Sequence, residues 1–257
     1  MTKRLRNVFN RDLCLPFAPI MPLRRDTFNS ETMKEMVVPR IVFYGASGHS
    51  YSIAQMASRG FQQPLCEPVA YIDDFRGGGG QTLNDVPIIS FDEWKSSFLA
   101  LPCFVAVADP KSRRRLASKI LAAGGRFAQF HEQFSGVTID AGTIVFMPTY
   151  IAPNTMIAKH VQVMPMCVIG HDVVINDYVT LCPSCTVSGY VVIEDEVFVG
   201  AGSTIVNGRV GKPLIVGSGT KISAGAVVTK SISPNGSVAG NPARSLRELA
   251  RARRPNE

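Results

Sequence analysis

The chain has 257 residues, 46% of them hydrophobic and 18% charged, which is enough apolar material for one large domain or two small ones and excludes a disordered chain. The net charge of +7 invites a nucleic-acid partner, but residues 1–39 hold seven Lys/Arg against four Asp/Glu and residues 240–257 hold five Arg against two Glu. Six of the seven net charges therefore sit at the ends, and no basic stripe along a folded face follows. Solvated tails are the simple reading. The sharper one is that the C-terminal arginines meet an anionic cofactor or substrate.

Six cysteines are scattered (Cys14, Cys66, Cys103, Cys167, Cys182 and Cys185), with no secretory signal and no apolar run long enough for a bilayer. The expectation is a cytoplasmic protein with free thiols and no membrane insertion. Cys182-Pro183-Ser184-Cys185 is a CxxC, but no second pair accompanies it, so it reads as core filling.

In chain order, residues 1–39 form an irregular basic extension with Pro16, Pro19 and Pro22. It is a mobile segment, an arm for a neighbour, or a stretch upstream of a true start at Met33 or Met36. Residues 40–135 read as an α/β domain with a small, Rossmann-like parallel sheet. Ile41–Tyr44 is a buried strand, followed by Gly45-Ala46-Ser47-Gly48-His49 and a helix around residues 51–59. Val69–Ile72 is a second strand and ends in Asp73-Asp74. Val86–Ile89, a strand at Phe104–Val107 and a helix from Pro110 to Gly124 follow. A glycine loop between strand and helix is the right place for a phosphate, and carboxylates ending the second strand suit a ribose or base. The alternative is that glycines and aspartates serve only a tight turn and a strand end; GxxG by itself is a weak motif.

From Ile139 to Ile205 every sixth residue is Ile, Val or Leu: Ile139, Val145, Ile151, Ile157, Val163, Ile169, Ile175, Leu181, Val187, Ile193, Val199 and Ile205. Periods near two and 3.6 mark flat strands and helices. A period of six marks short strands joined by turns, three to a triangular coil, which makes residues 136–233 a left-handed parallel β-helix of hexapeptide repeats. The phase slips after Ile205 and resumes at Val210, Val216, Ile222 and Val228, so 207–214 reads as a protruding loop. Positions 18 apart stack, which puts Cys167 beside Cys185 and His171 between Pro153 and Gly189. Residues 234–257 are a C-terminal segment and basic tail.

Of the histidines His49, His131, His160 and His171, only the last two lie in the coils, on different faces, so no metal site is expected. His171 occupies an outward turn beside Asp172. An exposed imidazole with a carboxylate neighbour suits a general base, though a surface histidine is as often inert.

Gly45-Ala46-Ser47-Gly48-His49, Ile72-Asp73-Asp74, Gly170-His171-Asp172, the ladder and Ala239-Gly240-Asn241-Pro242-Ala243-Arg244 occur in this order. Over about residues 40–246 the chain resembles the hexapeptide-repeat sugar acetyltransferases of the bacillosamine-pathway, perosamine and sialic-acid type. The resemblance implies a homotrimer with sites between subunits, acetyl-CoA as co-substrate and no metal. It also implies a nucleotide-sugar held by the 40–135 domain, no nucleic-acid partner, and a CoA-proximal role for 234–257. It makes His171 the base and Asp172 its support. Gly48, His49, Asp73 and Asp74 would bind substrate, and Gly189, Ala201 and Gly225 would meet the CoA arm. Thr180 stands where some members carry a second histidine near the thioester, and would tune the CoA site. The activity implied is N-acetylation of a nucleotide-linked amino sugar by direct attack. O-acetylation of a sugar or sialic acid uses the same residues, and a non-catalytic β-helix scaffold is the reading from another class.

Overall fold

The computed structural model describes residues 38–60, 64–131 and 133–252. The basic extension up to residue 37, Cys14 and the last tail arginines lie outside these. No helix among the described residues is long and apolar enough to cross a membrane.

β1 (Arg40–Tyr44) is buried over its last four residues, as a strand covered on both faces must be. It lies between β2 (Glu67–Ile72) and β5 (Cys103–Val105), parallel to both. β4 (Val86–Ile89) continues the parallel sheet beside β2, and β3 (Thr82–Leu83) adds an antiparallel edge. The order β3-β4-β2-β1-β5 reverses direction at β1. The loop leaving β1 therefore sits at the switch point where doubly wound sheets take ligands. α1 (Gly48–Arg59) and α3 (Pro110–Ala122) flank the sheet. α2 (Phe91–Ser97) was not anticipated, although its signal is in the sequence. Ser90 accepts from the Glu93 amide while the Glu93 carboxylate accepts from the Ser90 amide, the S-x-x-E capping box. The strand expected at 104–107 is β5, one residue earlier and shorter, because the carbonyls of Val107 and Ala108 turn away to meet Arg113.

From Val137 the chain coils through three parallel sheets. A first face stacks Ile144–Val145, Gln162–Val163, Thr180–Leu181, Phe198–Val199 and Lys221–Ile222. A second stacks Tyr150–Ile151, Val168–Ile169, Thr186–Val187, Thr204–Ile205 and Val227–Val228. A third carries Val137–Ile139, Thr155–Ile157, Val174–Ile175, Val191–Ile193 and Leu214–Val216. The laddered residues point inward into one core and, from Ile157 to Ile205, are at most 1% exposed. This is the left-handed β-helix that the hexapeptide period predicts. Val210 departs from the prediction: it is 64% exposed and is no rung. Ile193 pairs with Val216, 23 residues on instead of 18, so five extra residues are extruded at one corner before the period resumes.

The α/β sheet and the first coils share an apolar core. Ile41, Phe43 and Phe104 cluster with Phe130, Ile144, Phe146 and Met164, and the Phe43 ring stacks on Phe130 at 6.1 Å. Beside this core lies Arg113, 1% exposed. Its Nε donates to the His160 carbonyl, Nη1 to Val107 and Ala108, and Nη2 to Tyr178 and Val179. All guanidinium donors are thus satisfied by backbone oxygens from both parts of the molecule. Burial pulls its pKa down to about 9, opposed by nearby Asp109. Arg114 extends the seam to Asp195 at 3.1 Å and Glu196 at 2.5 Å. His160 sits edge-on to Phe127 and stacks on Tyr178 at 4.9 Å.

Arg113→Met removes the donor from the His160, Val107 and Tyr178 carbonyls, while Val179 and Ala108 keep the Gln162 amide and the Thr180 hydroxyl; it is expected to cost about 3 kcal/mol in chemical denaturation, with Arg113→Lys costing less because three donors remain. Burial, then Arg113 and Lys159, lower the His160 pKa to about 4. The unfolded chain therefore takes up a proton near pH 6.5 that the folded chain refuses, and stability falls between about pH 6.5 and about pH 4. His160→Phe, which keeps the ring, should flatten that part of the profile in denaturation curves recorded across the interval.

Candidate active site

His171 lies in the turn joining the second face to the third, between the Val168–Ile169 and Val174–Ile175 strands. Glycine is required before it: a Cβ on Gly170 would lie 2.7 Å from the Gly189 amide nitrogen of the next coil. Asp172 adopts a left-handed φ of 55°, which aspartate tolerates better than most residues. The turn aims both side chains outward. His171 Nδ1 lies 2.6 Å from Asp172 Oδ2, with the two side chains 53% and 22% exposed. The carboxylate accepts the Nδ1 proton and leaves Nε2 as the free acceptor. Coil stacking is as expected: the Asp172 amide donates to the Pro153 carbonyl, and the Tyr190 amide to that of His171. A Cβ on Gly189 would stand 3.0 Å from His171 Cε1 and Nε2, so glycine there leaves the ring its place. The Tyr190 ring closes one side edge-on at 5.1 Å. A fixed imidazole with one nitrogen held by a carboxylate and the other open is equipped to remove a proton from a bound nucleophile.

The glycine loop forms the second half. Gly45 has φ 114° and no space for a side chain, since a Cβ would meet Ser50 Oγ at 2.6 Å. Ser47 caps α1, and Gly48 opens its first turn with nothing within 4 Å of a Cβ, room for a ligand against the helix amides. His49 reaches the coils: its Nε2 is 3.3 Å from Gln162 Oε1. The Gln162 amide nitrogen is committed to the Val105 carbonyl, so its oxygen accepts and His49 Nε2 carries the proton. Burial first, with Arg113 adding to it, lowers the His49 pKa, against the pull of Gln162.

Asp73 accepts from the amides of Phe75 and Arg76 and from the Arg76 guanidinium. Burial raises its pKa, but these hydrogen bonds outweigh it and hold the carboxyl below the usual range. Arg76 also donates to the Ala46 carbonyl and so ties the acidic turn to the glycine loop. Asp74 accepts from Tyr44 at 2.7 Å and Lys119 at 2.9 Å. Asp73 thus braces the glycine loop through Arg76, while Asp74 ties the end of β1 to α3.

A family model described as the PglD N-terminal domain matches residues 40–120. The chain is 34% identical to a GDP-perosamine N-acetyltransferase of Escherichia coli O157:H7 over 184 residues, 70% of this chain and 82% of the relative. Among solved structures, WeeI from Acinetobacter baumannii AYE matches at 32% identity and TM-score 0.69, covering 80% of this chain and 99% of that one. The acetyltransferase domain of PglB from Neisseria gonorrhoeae FA1090, in complex with acetyl coenzyme A, matches at 25% identity and TM-score 0.70, covering 80% and 98%. The chain belongs to the hexapeptide-repeat sugar acetyltransferases. It is an acyltransferase by family.

Against that family, the residues expected around the cofactor do not gather in one chain. Gly189 is in the His171 corner. Ala201 and Gly225 stack on each other, with the Gly225 amide on the Ala201 carbonyl, in the corner between the first and second faces. Thr180 lies on neither. It is 1% exposed on the first face, and its hydroxyl donates to the Ala108 carbonyl at 2.8 Å, which makes it a docking contact between coil and α/β domain. Its period in the sequence marks it as an outward position, but not what would cover it. Gln162 is an outward position of the same kind, whereas Arg76 and Arg113 lie in the α/β domain, where no repeat marks them. Among the described residues no three His, Cys, Asp or Glu side chains gather as metal ligands. Cys167, Cys182 and Cys185 are free thiols, Cys167 and Cys185 inside the coil core.

Gly189→Ala should displace the imidazole without unfolding the coil. The expected outcome is shifted His171 ring resonances by NMR and about a tenfold fall in turnover, with the thermal midpoint nearly unchanged.

Proposed function

We propose that this protein transfers the acetyl group of acetyl-CoA to the amino group of a nucleotide-linked amino sugar, with His171 as general base. The observation that carries the reading is the His171 ring itself, held on Asp172 through Nδ1 and open at Nε2 over Gly189. The sugar nitrogen attacks the thioester carbonyl carbon; the C–N bond forms as the carbonyl becomes an oxyanion, whose collapse breaks the C–S bond. Nε2 takes the amine proton and returns it to the departing thiolate, while a backbone N–H holds the oxyanion. No covalent enzyme intermediate is needed, because the ternary complex supplies proximity. Asp172 keeps the tautomer and stabilises the imidazolium. The similarity to a protein named GDP-perosamine N-acetyltransferase favours an amine over a hydroxyl acceptor. Gly48 and His49 line the nucleotide site at the switch point, and Asp73 and Asp74 support it.

The architecture supports a homotrimer with composite sites. The α/β domain covers the first face through Gln162 and Thr180, whereas His171 projects from the corner between the other two faces. A chain's own glycine loop and its own base therefore lie on opposite sides of one coil stack. A neighbouring copy that brings its α/β domain to the His171 corner completes the site. The exposed Tyr150 and Val168 of the second face, with Met166 beside them, supply apolar surface for that contact. Gly189 of one copy and Ala201 and Gly225 of another would then flank the same CoA. Both co-substrates are cytoplasmic metabolites in this reading, which puts the enzyme there.

The test offers acetyl-CoA and UDP-, dTDP- and GDP-linked amino sugars to purified trimer and follows free thiol. Turnover with one of them is expected, and His171→Ala should lower kcat by about 10²–10⁴-fold while CoA still binds. Thiol release only with sugars that lack an amine would move the reading to O-acetylation. None with any acceptor would leave a scaffold.

A further inference from the structure

The five extra residues of the coil after Ile205 emerge at the corner that carries His171. The Gly208 amide donates to the Gly189 carbonyl and the Leu214 amide to the Tyr190 carbonyl, so the insertion leaves and re-enters the stack directly above Gly189. A side chain at Gly208 would overlap the Tyr190 carbonyl, so the base of the insertion is pressed against the coil. Arg209 and Lys212 exchange both backbone hydrogen bonds, at 3.0 and 2.9 Å, around a tip of Val210 and Gly211 at φ 71°. The insertion is a two-residue hairpin, a short rigid finger rooted about 10 Å, two coil spacings, above His171.

The hairpin places two cations side by side. Residues paired by both backbone hydrogen bonds project to the same face, and like charges opposed in this way repel. Arg209 and Lys212 are both exposed, and neither joins an ion pair among the described residues. Lys230 follows in the turn one coil further along the same corner. On the other side of His171 the corner turns at 134–136 and 152–154 carry no charge. Cations therefore run from the base toward the C-terminal coils and not the other way.

We propose that Arg209 and Lys212 of this finger, continued by Lys230, bind the phosphate groups of the acyl donor and set its direction along the His171 corner. This rests on the acetyl-transfer reading above. The thioester must lie at Nε2 of His171, so the phosphorylated end of CoA lies displaced along the stack, toward the cations. The uncompensated pair at the finger is a site for a phosphate, which relieves the repulsion and accepts charge-assisted hydrogen bonds from both side chains.

The test is calorimetric titration of CoA into the full-length protein and the Arg209→Ala/Lys212→Ala variant, with no amino sugar present, followed by initial rates. The variant's CoA Kd and acetyl-CoA KM should rise about tenfold or more, with a weaker dependence on salt. The KM for the sugar nucleotide should be unchanged. With S-acetylpantetheine, which has no phosphates, the variant and the parent should be equal. Equal CoA affinity in the two proteins overturns the proposal, as does a loss that falls on the sugar nucleotide, whose diphosphate would then be the anion. A parent protein that binds no CoA overturns the acetyl-transfer reading itself, an outcome distinct from the other two.

Discussion

Every corner of the β-helix is positioned by one constraint: each coil must set its three aliphatic rungs directly beneath those of the next. A coil by itself cannot bury its inward residues, so burial is shared between neighbours and the register is rigid. That register turns sequence into columns. His171 comes to lie under Gly189 because Ile169 pairs with Val187, and Gly142, His160, Tyr178 and Glu196 line one corner for the same reason. Glycine appears where adjacent coils come too close for a Cβ, as at Gly170 against Gly189. Left-handed φ values recur at successive corners, at His160, Tyr178 and Glu196, because each turn must bend alike.

The α/β domain obeys a different rule. It is held on the coils by an aromatic core around Phe43, Phe104 and Phe130 and by a buried guanidinium that meets carbonyls instead of a carboxylate. Hydrophobic contact by itself tolerates sliding; the directed hydrogen bonds of Arg113, Gln162 and Thr180 allow one orientation. The consequence is functional. With the α/β domain pinned over the first face and His171 projecting from the far corner, the glycine loop and the imidazole of a single chain lie on opposite sides of the coil stack. In the composite-site proposal, assembly would be part of the chemistry, with the base of one copy working on what another copy holds.

The five-residue insertion shows how such a scaffold takes on new groups. Coils on either side keep their pairing, Ile193 with Val216 and Val199 with Ile222, so the insertion costs the core nothing and appears only as a finger at one corner. Because corners are columns, anything extruded there is automatically aligned with the residue below it.

The sequence by itself determined the β-helix, because a six-residue aliphatic period has one way of being buried. It also determined the alternation of strands and helices in the α/β domain and the outward aim of His171 beside Asp172. These are local or periodic properties, carried by burial and turn geometry. What only the tertiary structure decided is which outward positions are covered and by what. Thr180 and Gln162 look like any polar outward residue of a coil until the α/β domain is docked on them. Asp73 and Asp74 look like free carboxylates until Arg76, Tyr44 and Lys119 are brought against them. Val210 fits an aliphatic pattern by type but not by place, since a period read along the chain does not register residues that leave the coil and return. For Thr180, Gln162 and Asp74 the deciding partner is far away in sequence, so its effect is a matter of packing and not of pattern, whereas Arg76 meets Asp73 from three residues on.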